Sequence, residues 1–211
     1  MFPPRRIATG SFRIYVPAGL PPKPPIVLFL HGAGEGGRDG LAQTTVGLGP
    51  AIVKYPDRFP LVAVFPQSPP RNPWRGPIVE HALGALEATI EELDCDRDRV
   101  YLTGISMGGY GTWHIATAQP ERFAAIVPIC GGAEKPMITA ERLANVPTWV
   151  FHGDRDQIIP VEESREVVQL MRARGSNVRY TEYKGVQHNS WDPAYAEPEL
   201  MPWLLGQKRG S

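Results

Sequence analysis

Ten residues in the middle of the chain, Val100-Tyr101-Leu102-Thr103-Gly104-Ile105-Ser106-Met107-Gly108-Gly109, leave the backbone few paths. A β-like run over 100–103 and a helix-like run over 110–118 are joined by a G-x-S-x-G turn, which holds its serine in a strained conformation between strand and helix. Glycines flank Ser106 at two residues on either side because strand and helix pass too close there for a Cβ. The turn lifts the Ser106 hydroxyl clear of the chain. It also sets the Met107 backbone N–H, at a helix N-terminus, where a developing oxyanion can be bound. Ser106 is therefore a candidate nucleophile in need of a base, although the same letters also suit a plain Gly-rich turn.

The rest of the chain supplies a setting for that turn. Apolar runs at 26–30, 61–65, 124–130 and 147–151 read as buried strands, with alternating strands at 12–16 and 178–183. Helices are expected at 78–93, where Val79, Ala82, Leu83, Leu86, Ile90 and Leu93 share a face, at 161–174, and at 193–205. His81 lies off the apolar stripe and is expected to be solvated; His114, on the helix after Ser106, is expected to pack. Strands alternating with helices predict an α/β fold with a mostly parallel sheet flanked by helices, and residues 1–211 suit one domain.

A serine hydroxyl attacks only when a base takes its proton, and the base needs a carboxylate to orient it. Asp154 and Asp156 follow one expected strand and His188 follows the next, so all lie where open α/β sheets place their sites. Ser106, Asp156 and His188 run in the order serine, acid, histidine of the α/β-hydrolases. Asp154 is a rival acid, two residues away. The strand at 26–30 opens into His31-Gly32-Ala33-Gly34-Glu35-Gly36-Gly37, a loop whose backbone N–H groups can face a ligand. It is no phosphate loop, because no Gly-Lys-Ser/Thr follows.

His31-Gly32-Ala33-Gly34, Gly104-Ile105-Ser106-Met107-Gly108-Gly109, His152-Gly153-Asp154-Arg155-Asp156-Gln157-Ile158-Ile159-Pro160 and Gln187-His188-Asn189-Ser190-Trp191 together resemble a compact serine esterase of the α/β-hydrolase superfamily. The likeness spans nearly the whole chain. It is greatest to the phospholipase/carboxylesterase group and to related esterases described as predicted peptidases or likened to feruloyl esterases and polyhydroxybutyrate depolymerases. The resemblance implies Ser106 as nucleophile, His188 as base, Asp156 as acid, and the Ala33 and Met107 N–H groups as the oxyanion hole. The pattern His-Gly-x-x-Asp-x-x-Ile/Val-Pro favours Asp156 over Asp154, which is expected to bond its own turn. His31 and His152 are expected to pack or to fix loops, and Glu35 to hold its loop by a hydrogen bond.

Carboxylic ester cleavage through an acyl-enzyme is the expected reaction, with no metal or organic cofactor. A peptidase or thioesterase with the same triad, or a non-catalytic binder of small molecules, are the rival readings. Basic and acidic residues balance at 22 each, so no net field draws in nucleic acid or an anionic membrane, and the expected partner is a small-molecule ester. No apolar run reaches the roughly 20 residues of a membrane span and residues 1–6 lack a signal-peptide core, which predicts a cytoplasmic protein, or a secreted one where a leader has been removed; oligomeric state is left open. Cys95 and Cys130 read as buried thiols. Only residues 131–146 separate the strand after the serine helix from the next one, too few for more than a minimal lid, so the pocket is expected to be shallow. Trp74 and Trp191 are the large groups placed to wall it.

Overall fold

The computed structural model describes residues 1–210. Eight strands form one sheet: β1 (Pro4–Ile7), β2 (Gly10–Tyr15), β3 (Ile26–Leu30), β4 (Val62–Pro66), β5 (Val100–Ile105), β6 (Ala125–Ile129), β7 (Trp149–Gly153) and β8 (Arg179–Tyr183). Their spatial order is β1-β2-β4-β3-β5-β6-β7-β8. From β4 to β8 all pairings are parallel, while β2 is antiparallel to both β1 and β4. The expected mostly parallel α/β sheet is present, and its architecture is that of an α/β-hydrolase.

Alternation along the strands divides the interior in two. Leu28, Val64, Leu102, Ile126 and Val150 face a layer made by α2 (Pro77–Leu93), α3 (Met107–Ala118), α4 (Pro136–Arg142) and α5 (Val161–Ala173). Phe29, Phe65, Tyr101, Val127 and Phe151 face α1 (Leu48–Lys54), α6 (Trp191–Ala196) and α7 (Leu200–Leu205) on the other side. Both faces being covered is what makes the central strands read as unbroken apolar runs. The strand order reverses between β3 and β5: β4 follows β3 on one side, while β5 begins the march to β8 on the other. The crevice at such a reversal is where an open parallel sheet binds ligands, and the loops after β3 and β5 carry the glycine-rich segment and Ser106.

Several expectations are corrected. The helix expected at 193–205 is two helices, α6 and α7, because Pro198 offers no N–H and biases Glu197 to the extended conformation seen there (φ −60°, ψ 120°). β1 and α1 carry no clear sequence signal; α1 contains Gly49 and Pro50, which weaken any helical pattern. His81 is buried rather than solvated, because the β1–β2 hairpin folds over α2: its Nε2 donates to the Ser11 carbonyl (3.3 Å) and its Nδ1 accepts from the Thr9 hydroxyl (2.9 Å). Cys95 and Cys130 are free and buried, as expected.

Candidate active site

Ser106 sits between β5 and α3 with φ +55° and ψ −117°, a left-handed conformation that costs a non-glycine residue on the order of 1–3 kcal/mol. The surrounding packing enforces it. A Cβ at Gly104 would lie 2.2 Å from the Gly108 carbonyl oxygen, and one at Gly108 would lie 1.9 Å from the carbonyl oxygen of Leu30 on β3. The Ser106 N–H is tied to the Ile129 carbonyl at 3.0 Å. Neighbouring strands thus press the elbow into shape from both sides.

The Ser106 hydroxyl lies 2.9 Å from His188 Nε2, and His188 Nδ1 lies 2.7 Å from Asp156 Oδ2. An Nδ1–H donating to the carboxylate leaves Nε2 as the acceptor of the serine proton. The Asp156 carboxylate is fully buried, and its Oδ1 accepts the N–H groups of Ile158 (2.8 Å) and Ile159 (2.9 Å). Burial alone pushes this carboxyl upward; the bonds from His188, Ile159 and Ile158 outweigh it and hold Asp156 below its ordinary value. Asp154 does not reach the histidine. Its Oδ1 accepts the Gly185 N–H at 2.6 Å, so it ties the loop after β7 to the loop after β8, a cross-loop bond where one within its own turn was expected.

The loop after β3 passes beside the serine: a Cβ at Gly32 would lie 3.6 Å from the Ser106 Cβ. Ala33 starts a 3-10 turn and Met107 starts α3, so neither N–H has a partner within its own element. His31 fixes this loop from beneath. It is fully buried, donates from Nδ1 to the Gly32 carbonyl (2.6 Å) and accepts the Ser68 N–H on Nε2 (2.9 Å), and burial pulls its pKa down to about 4. Gln67, at the end of β4, holds the same loop through the Glu35 carbonyl (3.1 Å) and the Gly40 N–H (2.8 Å). Burial raises the Glu35 carboxyl, against hydrogen bonds from the Gly32 and its own backbone N–H that lower it.

A cleft of about 280 Å³ opens beside Met107, lined by Trp74, Arg75, Tyr110, His114 and Glu134 among others. Trp74 forms its floor: the indole is only 1% exposed and donates to the His31 carbonyl at 3.0 Å. Trp191 stands edge-on to His188, ring centroids 5.4 Å apart, and backs the imidazole. His114 is exposed on the cleft wall, not packed, because that side of α3 is left uncovered by α4. Arg75 and Glu134, from the loops before α2 and α4, form an ion pair at the cleft. Behind the triad, Cys130 Sγ lies within 4.8 Å of ligand-type atoms of both Asp156 and His188, the one such trio among the described residues. Burial pushes that thiol up to about 12, and the other two groups are bonded to each other, so none offers a free ligand. A tie between Asp156 and His152 was not foreseen, although a histidine four residues before the acid is its visible signal.

Comparison with known proteins gives a consistent picture. The crystal structure of a thermostable esterase superposes with a TM-score of 0.86 at 34% identity, over 99% of this chain and 63% of that one. A bifunctional acetylxylan esterase/xylanase of Neocallimastix patriciarum is 27% identical over 74% of this chain and 23% of its own, and feruloyl esterase B of Neurospora crassa is 32% identical over 53% and 40%. The chain thus spans less than half the length of these two curated relatives. A sequence model of the family described as phospholipase/carboxylesterase matches residues 75–196, more than half of the chain and from just before α2 through α6. That span holds the elbow, the acid loop and the histidine loop, and the chain belongs to the phospholipase/carboxylesterase family of α/β-hydrolases.

Proposed function

We propose that this chain is a serine carboxylesterase that acts on short-chain or small aromatic esters. The observation that carries the reading is the unbroken hydrogen-bonded run from Ser106 through His188 to Asp156, at 2.9 and 2.7 Å, on a strained elbow. His188 Nε2 takes the hydroxyl proton as Ser106 Oγ bonds to the ester carbonyl carbon. The charge on the carbonyl oxygen is met by the N–H groups of Ala33 and Met107. His188 then passes its proton to the leaving alcohol as the carbon–oxygen bond breaks. Water, deprotonated by His188, releases the acid from the acyl-enzyme by the same steps, and Asp156 stabilises the imidazolium each time.

The cleft beside Met107 supports a small acyl or alcohol group: at about 280 Å³ it is short, and charged side chains stand around its mouth. Each buried methylene contributes about 0.8 kcal/mol only where it meets a wall, so the gain from lengthening an acyl chain is expected to end after a few carbons. A fluorophosphonate probe and a p-nitrophenyl ester series test the reading together. Covalent labelling of Ser106 is expected, with kcat/KM highest for acyl groups of about two to six carbons. An unlabelled Ser106 would leave a binder, and kcat/KM climbing steadily to sixteen carbons would show a deep acyl channel.

A further inference from the structure

Asp156 has a second histidine. His152 lies at the end of β7, fully buried, with Nε2 at 3.1 Å from Asp156 Oδ2 and 3.1 Å from the Ile159 carbonyl oxygen, and Nδ1 at 2.8 Å from the Ser164 hydroxyl of α5. Two acceptors face Nε2, so that nitrogen carries the proton, and Nδ1 accepts from Ser164, whose hydroxyl has the Gly131 carbonyl oxygen as a more distant acceptor at 3.3 Å. Burial lowers the His152 pKa and keeps the ring neutral.

The consequence concerns the plane of a carboxylate. The Ile158 and Ile159 N–H groups hold only Oδ1, and rotation of an aspartate carboxyl about its last torsion is soft. Oδ2 must face His188 Nδ1, on a ring that is partly exposed and so less enclosed than the carboxylate. We propose that His152, with its tautomer fixed by Ser164, is a positioning residue of the triad: its Nε2–H pins Oδ2 and so sets the carboxylate plane that orients His188. The reading rests on the triad proposed above. It extends the chain to five side chains, Ser164, His152, Asp156, His188 and Ser106, drawn from α5, β7 and the three loops at the sheet's carboxyl edge.

The test compares His152→Leu, which removes the donor, with His152→Gln, whose amide nitrogen can donate from nearly the same place, and with Ser164→Ala. Each is measured for kcat and KM on p-nitrophenyl acetate and for its urea midpoint. His152→Leu is expected to lower kcat by about 10- to 100-fold with KM nearly unchanged, the scale of losing a positioning contact. His152→Gln is expected to restore most of that loss, and Ser164→Ala to lower kcat by a smaller factor. In an Asp156→Asn background, His152→Leu is expected to cost less than about twofold more, because the contact it serves has already gone. Equal kcat for the Leu variant and the wild type, a Gln variant as poor as Leu, or a full additional loss in the Asp156→Asn background would each overturn the proposal. If His152→Leu does not fold, the Gln and Ser164→Ala variants decide: Gln well below Ser164→Ala, or Ser164→Ala without effect, overturns it. Full activity in Ser106→Ala or Asp156→Asn would instead sink the triad itself, so the two failures are distinct.

Discussion

The acid end and the serine end of the hydrogen-bonded run are built in opposite ways. At the acid end, the Asp156 carboxylate is wholly enclosed and its two oxygens face two backbone N–H groups and two imidazoles. At the serine end, Met107, the residue after Ser106, borders a cleft whose walls carry exposed side chains, with Arg75 and Glu134 paired near its mouth and His114 open to solvent. The first region is enclosed and hydrogen-bonded at both carboxylate oxygens, and the second stands open along one side above a buried Trp74. On the proposed mechanism the reacting groups are preorganised from behind, while the cleft beside them is walled by α3 and by the loops before α2 and α4.

The largest expected effect strikes the serine end. Ser106→Ala should lower ester turnover by about 10⁶ with the fold intact, the loss typical of a triad serine; a purified variant keeping a tenth of wild-type activity would refute the assignment. Next comes the enclosed end: Asp156→Asn should cost roughly 10⁴ in kcat by favouring the wrong imidazole tautomer, and Asp154→Asn far less, since Asp154 only ties Gly185. Equal losses would erase the distinction between a buried acid and a loop tie.

Acid stability sharpens the same contrast. His31 is buried neutral, with its pKa lowered from 6.5 to about 4, so between these values the unfolded chain binds the extra proton and stability falls as pH drops. Below about pH 4 the accumulated loss is about 3 kcal/mol, at 1.36 kcal/mol per pH unit. Urea midpoints taken from pH 7 to 4 should show this decline, and His31→Gln should flatten it; an unchanged slope would mean another group is responsible. The smallest effect belongs to the open side. Arg75→Ala breaks an ion pair whose members are 45% and 42% exposed, so it should change stability by less than about 1 kcal/mol and acetate turnover by no more than about threefold. It should reorder longer acyl groups instead, and a large loss on acetate would show that the cleft wall takes part in the chemistry.

What can be read from the residues alone follows the same division. The elbow is legible because glycine, serine and glycine at fixed offsets answer a backbone clash, and the buried strands because both of their faces are covered. The order of Ser106, Asp156 and His188 needs only the succession of strands. The tie from His152 to Asp156 is signalled only by a histidine four residues before the acid, a spacing that does not by itself fix the path of the loop after β7. His81 follows the same logic: its position off the apolar stripe of α2 is correct, and its burial comes from a hairpin some seventy residues earlier in the chain. The cleft lies between α3 and the loops before α2 and α4, which only tertiary packing brings together, so their pairing leaves no trace in spacing.

β8 is one of the two edge strands of the sheet, and the loop after it carries His188, bound back to the Asp154 loop through Gly185. Ser106, by contrast, follows β5 in the sheet's interior. On the proposed mechanism, a chain whose β8 is undocked has its elbow but not His188 in place, so the return of ester hydrolysis on refolding reports the docking of that edge strand as well as the assembly of the core.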